Sequence, residues 1–233
     1  MMRPVPISFD ARNEAGPLDR IWHCIGYCEI NWTYTPIGRQ VLRAIQELGD
    51  GTYWIRVMGT FSSGNQRSLP GWGSTNCYTE DADGRARYDW SITDRAYDTL
   101  LEHNCKPMVV LGFMPHDLST HPEVGLLDSW RYPPKNYRCW QDLNFRFAEH
   151  LLERYGKEEV RTWFFGSWNE PDQRLAFRCN PDATRDTPQQ RLEEYLKLFD
   201  HAAGGIRAAD DRLRVGGPEC DGNLEFLEGF LEQ

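Results

Sequence analysis

The sequence predicts an α/β fold, a (β/α)8 TIM barrel that is incomplete and covers about strands one to five of the eight. Three observations lead there. Apolar, strand-like runs alternate with helical runs five times, and no hairpin turn joins consecutive runs. Such alternation demands a parallel sheet with crossover helices. The long loops follow strands while the helix-to-strand turns are short, the asymmetry of a barrel whose active face is built from the loops after strands. The alternation also fits a doubly wound sheet, but no Gly-x-Gly-x-x-Gly follows the first strand, so a dinucleotide fold lacks its best marker.

The elements follow in order. Residues 21–30 are apolar-rich and form the first strand. Thr35 then caps a helix that has Pro36 at its first position, with Val41, Leu42, Ile45 and Leu48 at helical spacing. Gly49-Asp50-Gly51 ends it, and residues 53–58 form the second strand. Residues 59–88, rich in Gly, Ser, Asn and Asp, are too long for a plain connection and read as a functional loop. Residues 89–104 are helical, with Ile92, Ala96, Leu100 and Leu101 on one face. Residues 107–111 form the third strand, running into Gly112-Phe113-Met114-Pro115. A second long loop, 117–135, precedes the clearest helix, 137–155, where Trp140, Leu143, Phe147 and Leu151 recur at three and four and Gly156 closes. The fourth strand is 160–167, the next helix 188–209, the fifth strand 213–218 and a last helix 224–231.

Composition narrows the function classes. With 233 residues, 40% hydrophobic and 26% charged, the chain is an ordinary globular sequence. A formal net charge of −9 argues against a nucleic-acid or anionic-membrane partner, either of which calls for a basic patch. No stretch approaches the roughly 18 apolar residues of a membrane span. The N-terminus lacks an apolar signal core, so the expected location is cytoplasmic. Nine tryptophans serve either a large aromatic core or sugar-stacking surfaces. The seven cysteines are an odd number and cannot all pair within one chain. Cys24 and Cys28 have a spacing met in metal sites, but no second pair or His-x-x-x-His follows, so no metal and no cofactor is expected. Buried free thiols are the default.

The candidate chemistry sits in residues 163–172, where an aromatic run stops at Asn169-Glu170-Pro171. Proline ends the ladder, and the carboxylate lands just past the strand's C-terminal end, where parallel barrels carry their catalytic groups. Glu170 is therefore the candidate general acid/base. A carboxylic acid in that role protonates a departing glycosidic oxygen and later activates water. Phe164, Phe165 and Trp168 offer an apolar surround, and Asn169 is placed to hydrogen-bond a sugar hydroxyl. The competing reading of an isolated Asn-Glu-Pro is a strand-terminating turn.

Further motifs carry a family resemblance. Trp168-Asn169-Glu170-Pro171, preceded by Arg161-Thr162-Trp163-Phe164-Phe165, resembles the fourth-strand motif of clan A glycoside hydrolases, and family 39 in particular, with its β-xylosidases and α-L-iduronidases. Gly112-Phe113-Met114-Pro115, Tyr132-Pro133-Pro134-Lys135, Glu153-Arg154-Tyr155-Gly156 and Glu158-Glu159-Val160-Arg161 are similar to its xylosidase branch. Val215-Gly216-Gly217-Pro218 is similar to its fifth strand. The resemblance implies residues 20–233 as one partial catalytic domain behind an N-terminal extension, 1–19. It implies a retaining two-carboxylate mechanism on a carbohydrate substrate, with Glu170 as acid/base and Asn169 as the residue that touches the sugar. Trp168, Phe113 and His116 are further candidates for substrate contact; for His116 the competing reading is a solvated loop histidine. The family's nucleophile, a glutamate ending the seventh strand, is expected beyond Gln233, since Glu219, Glu225, Glu228 and Glu232 lie around strand five and its helix.

Three positions depart from the family pattern. It usually has a histidine in the second strand, where this chain reads Ile55-Arg56-Val57-Met58-Gly59. It often has a glutamate where Val110 stands and another near Gly166. The rival function is a non-catalytic carbohydrate-binding protein or relic scaffold on the same barrel. Without that nucleophile the chain alone is expected to be nearly inactive, and five strands leave two sheet edges and apolar faces uncovered, through which it is expected to self-associate.

Overall fold

A computed structural model describes residues 21–49, 51–61, 77–125 and 128–233, together with isolated positions 6, 8, 10, 12 and 16. The N-terminal extension assigned to 1–19 and the centre of the first long loop, 62–76, lie outside the described residues apart from those positions. Five strands form one parallel sheet: β1 (Cys24–Glu29), β2 (Tyr53–Met58), β5 (Cys105–Leu111), β6 (Phe164–Ser167) and β7 (Arg214–Gly216), side by side in that order. Between them lie helices α1 (Pro36–Glu47), α2 (Ser91–Glu102), α3 (Tyr137–Tyr155), the short α4 (Lys157–Val160) and α5 (Pro188–Ala209); α6 (Leu224–Leu231) follows β7. This is the wall of a (β/α)8 barrel across five consecutive strands.

Local chemistry sets the helix ends as the sequence implies. The Thr35 hydroxyl accepts from Gly38 N, with Pro36 at the first helical position, and Asn136 accepts from Arg138 N and Cys139 N to start α3. Thr187 and Gln190 cap α5 reciprocally. Gly156 takes a φ of 84° where α3 stops, a conformation costly for residues with a Cβ.

The two faces of the sheet differ. In β2, Tyr53, Ile55 and Val57 are buried beneath the helices, while Trp54, Arg56 and Met58 are partly open on the inner face. Register aligns Arg56 with Met108, Phe164 and Arg214 in one row across four strands. Toward the strands' N-terminal ends the inner face is closed by polar contacts. The Trp54 indole and the Arg214 guanidinium both donate to the Thr162 carbonyl, and Lys106 donates to Thr162 Oγ1 at 2.7 Å. Toward the C-terminal ends the face stays open, and there the loops gather.

Four differences from the sequence expectation have local causes. The first long loop contains a hairpin, β3 (Tyr78–Glu80) against β4 (Ala86–Tyr88). Its strands are three residues each and mostly polar, so they show no apolar alternation; Asp81 makes the turn, accepting from Asp83 N and Arg85 N. The fourth barrel strand starts at Phe164 because residues 157–160 coil into α4. The first strand is flanked on both sides by 3-10 turns, which shortens it to 24–29. Among the described cysteines, all free thiols, Cys77 and Cys105 are buried but Cys24 is exposed. Among the described residues no helix is long and apolar enough to cross a membrane, and no cluster of His, Cys, Asp and Glu has the makeup of a metal site.

The α3–α5 contact is the tightest in the helical layer. The Trp140 indole donates to Leu198 O at 3.0 Å across it. A Cβ at Gly205 would stand 2.4 Å from Gln141 O and 3.0 Å from Asn144 Cβ. Gly205→Ala therefore has to push the helices apart. Despite alanine's better helix propensity, it should destabilise the protein by about 1–3 kcal/mol, read as a lower midpoint in urea unfolding; an unchanged or higher midpoint would show that the helices separate freely.

Asp210 ties the end of α5 to the segment entering β6. Its carboxylate accepts from Arg161 Nη2 at 2.6 Å and Nε at 3.1 Å, and from Arg212 N at 3.0 Å. The Arg161 hydrogen bonds first, and the Arg212 N–H second, hold its pKa below the ordinary carboxylate value. With the folded pKa below the unfolded one, the stabilisation is complete above about pH 4 and disappears as pH falls through the lowered value. Asp210→Asn should lower the melting temperature at neutral pH, and its deficit against the parent should shrink under acid; a deficit independent of pH would remove the ion pair as its cause.

Candidate active site

The site begins with how β6 stops. Ser167 O accepts from the buried Tyr195 hydroxyl at 2.9 Å, and Trp168 N donates to Leu111 O at 3.2 Å, continuing the parallel ladder one step. The backbone then turns sharply: Trp168 has φ 68° and Glu170 has φ 49°, both in the left-handed region that non-glycine residues rarely enter. Each such residue costs on the order of 1–3 kcal/mol and persists only where its surroundings hold it. Trp168 is held by its ring, fully buried edge-on to Phe113 and Phe177, with Nε1 donating to Ala176 O at 3.0 Å. Glu170 is held by its own N–H, which donates to Glu219 O at 2.8 Å.

These turns deliver Asn169 and Glu170 to a cleft of about 420 Å³ at the C-terminal end of the sheet, lined also by Arg56, Met108, Glu219, Cys220 and Asp221. Arg56 rises from the inner face of β2. Its guanidinium makes a short, two-pronged ion pair with the Glu219 carboxylate, and Nη2 also donates to Asn169 Oδ1 at 2.8 Å. Arginine only donates, so this bond orients the amide: Oδ1 faces Arg56 and the NH2 group turns away from it. Burial pushes the Glu219 pKa up, against the pull of Arg56. Burial, and next the nearby Asp172 carboxylate, push the Cys220 thiol up to about 11, so it lines the cleft as a neutral group.

The loops after β6 and β7 are laced together behind the cleft. The buried Asp172 carboxylate accepts from Asp221 N at 3.0 Å and from Asn223 N at 3.3 Å. The segment carrying Glu219 is thus clamped twice to the Asn-Glu-Pro-Asp turn, by Glu170 N and by Asp172.

Of the residues singled out in the sequence, Glu170 and Asn169 come together in the cleft. Phe113 and Trp168 lie behind it in the aromatic core with Trp130, and His116 sits in the following loop with Nδ1 3.0 Å from Ser129 Oγ. Arg56 and Glu219 were not recognised as site residues from sequence. For Arg56 a signal existed, an arginine on the alternating face of an otherwise apolar strand. For Glu219 none did, because its place depends on a contact across 163 residues of chain.

The sequence and the fold have counterparts among known proteins. The family "Glycosyl hydrolases family 39" matches residues 5–233. The chain is 33% identical to a β-xylosidase of Caldicellulosiruptor saccharolyticus over 219 residues, 91% of this chain and 40% of that protein. It is 24% identical to the α-L-iduronidase of Homo sapiens over 232 residues, 92% of this chain and 30% of that one. The solved structure of a monomeric β-xylosidase from Caulobacter crescentus CB15 superimposes with a TM-score of 0.70 at 31% identity, covering 95% of this chain and 41% of that one. The chain therefore spans less than half the length of each. Sequence match and fold agree across nearly all of it, and the chain belongs to glycosyl hydrolases family 39.

Proposed function

We propose that this chain supplies the acid/base half of a retaining glycosidase site, with Glu170 as the general acid/base. The observation that carries the reading is the Asn169-Glu170 pair, brought by a strained, doubly anchored turn into the cleft at the C-terminal end of the strands of a family 39 barrel. In the first step the Glu170 carboxylic acid protonates the departing glycosidic oxygen as the second carboxylate attacks the anomeric carbon; in the next, Glu170 as carboxylate takes a proton from the attacking water. Asn169, its Oδ1 engaged by Arg56, donates from Nδ2 to a sugar hydroxyl. Glu219 is bound to Arg56, so the nucleophile is assigned to a part of the fold that the longer relatives have and this sequence does not span. A carbohydrate is the substrate class, and the names of the relatives make aryl xylosides the first compounds to test. Phe113 and Trp168, being buried, shape the wall of the site, and His116 belongs to its rim loop. Among the described residues β1 and β7 each pair with a strand on one side only, which supports self-association of the chain when it is alone.

In a protein extended to the length of the family 39 relatives, so that it carries the second carboxylate, Glu170→Ala should lower kcat/KM on substrates with poor leaving groups by roughly 10²–10⁴-fold. On activated aryl glycosides the loss should be smaller, and added azide should restore turnover with a glycosyl azide as product. Hydrolysis at the parental rate, or azide without effect, would remove Glu170 from this role. Sugar binding with no Glu170-dependent turnover would support the carbohydrate-binding alternative instead.

A further inference from the structure

We propose that Glu219 is the positioning residue of this site: its carboxylate has taken over the space of the side chain at position 166 and orients Asn169 through Arg56, while its main-chain carbonyl holds the Glu170 N–H. The inference deepens the glycosidase reading and rests on it. Position 166 lies in the middle of β6, paired with Val110 on one side and Gly216 on the other. A regular strand has no need of glycine for its backbone angles, and glycine weakens it. The need is for room. A Cβ built on Gly166 would stand 1.6 Å from Glu219 Oε1 and 2.8 Å from its carboxyl carbon, so the carboxylate occupies the volume where a side chain at 166 would begin.

Glu219 reaches both halves of the motif, one by its side chain and the other by its main chain. Its carboxylate takes the Arg56 guanidinium, and Arg56 in turn donates to Asn169 Oδ1 at 2.8 Å. Its carbonyl accepts the Glu170 N–H at 2.8 Å. Both charged side chains are about three-quarters buried, at 23% and 24% exposure. A guanidinium at that depth needs a carboxylate, and which one it takes decides where it points. With Glu219 in the volume over Gly166, Arg56 points along the inner face to Asn169 and leaves Glu170 facing the cleft. Glycine at 166 and glutamate at 219 are therefore one feature, a carboxylate delivered from the loop after β7 instead of from β6.

The test is a relocation. Four variants are compared with the parent: Glu219→Ala, Glu219→Gln, and Glu219→Ala combined with Gly166→Asp or with Gly166→Glu. Three readouts are taken: the melting temperature, the side-chain amide resonance of Asn169, and, with the same substitutions in a protein extended to the length of the family 39 relatives, kcat and KM on an aryl glycoside. Glu219→Gln should lower kcat by about ten- to a hundred-fold with KM little changed, and should shift the Asn169 resonance. Returning a carboxylate at 166 in the Glu219→Ala background should move the resonance back toward the parent and recover most of kcat. If Glu219→Ala does not fold, Glu219→Gln, which keeps volume and removes charge, carries the first comparison, and folding restored by a carboxylate at 166 supports the relocation. Parental kcat and an unmoved resonance in Glu219→Gln would overturn the proposal, and so would a resonance that neither acid at 166 restores. Absence of Glu170-dependent turnover in the extended parent would defeat the glycosidase reading alone, because the resonance still reports whether Glu219 orients Asn169.

Discussion

The site depends on how strand β6 is brought to a stop without coming loose from the sheet. Its last ladder contact, Trp168 N to Leu111 O, and the Tyr195 hydroxyl on Ser167 O pin the strand end from two sides. Past that point two residues stand in the left-handed region, which no local preference of tryptophan or glutamate supplies. The energy comes from the surroundings. A fully buried indole with its N–H satisfied holds the first, and a main-chain bond to the β7 loop holds the second. A turn held by both core and neighbouring loop fixes the backbone from which Asn169 and Glu170 project into the cleft.

The barrel's inner face works in two zones for the same reason. Polar side chains inside a barrel have to be paired, because an unpaired buried charge costs several kcal/mol. Toward the strands' N-terminal ends, Trp54, Arg214 and Lys106 are paired with the Thr162 segment. Toward the C-terminal ends, Arg56 is paired with Glu219, and this pair also holds Asn169 beside the cleft. The same rule of charge satisfaction ties adjacent strands together at one end and orients an amide at the other.

Much of the fold was legible because its signals are local and periodic. Thr35-Pro36 announces α1, and the three-four spacing of Trp140, Leu143, Phe147 and Leu151 announces α3. The β3–β4 hairpin escaped because three-residue polar strands have no period to detect. Val160 was read into the fourth strand because a buried apolar residue looks alike in a strand and in a one-turn helix. In the site, Glu170 and Asn169 were legible from an aromatic strand ending at proline. Arg56 and Glu219 were not, since each is meaningful only through the other.

By itself, then, the amino-acid sequence determined the alternation of strands and helices, the barrel class, and the carboxylate with its amide neighbour at the end of the fourth barrel strand. Those follow from hydrophobic period, capping chemistry and proline, which act over a few residues. Only the tertiary structure decided which side chains meet in the cleft. Glu219 fills the space over Gly166, pairs with Arg56 and through it holds Asn169, while Phe113 and Trp168 are drawn into the core. Contacts between residues far apart along the chain depend on strand order, register and the volume each side chain leaves free, and those quantities exist only once the sheet has formed.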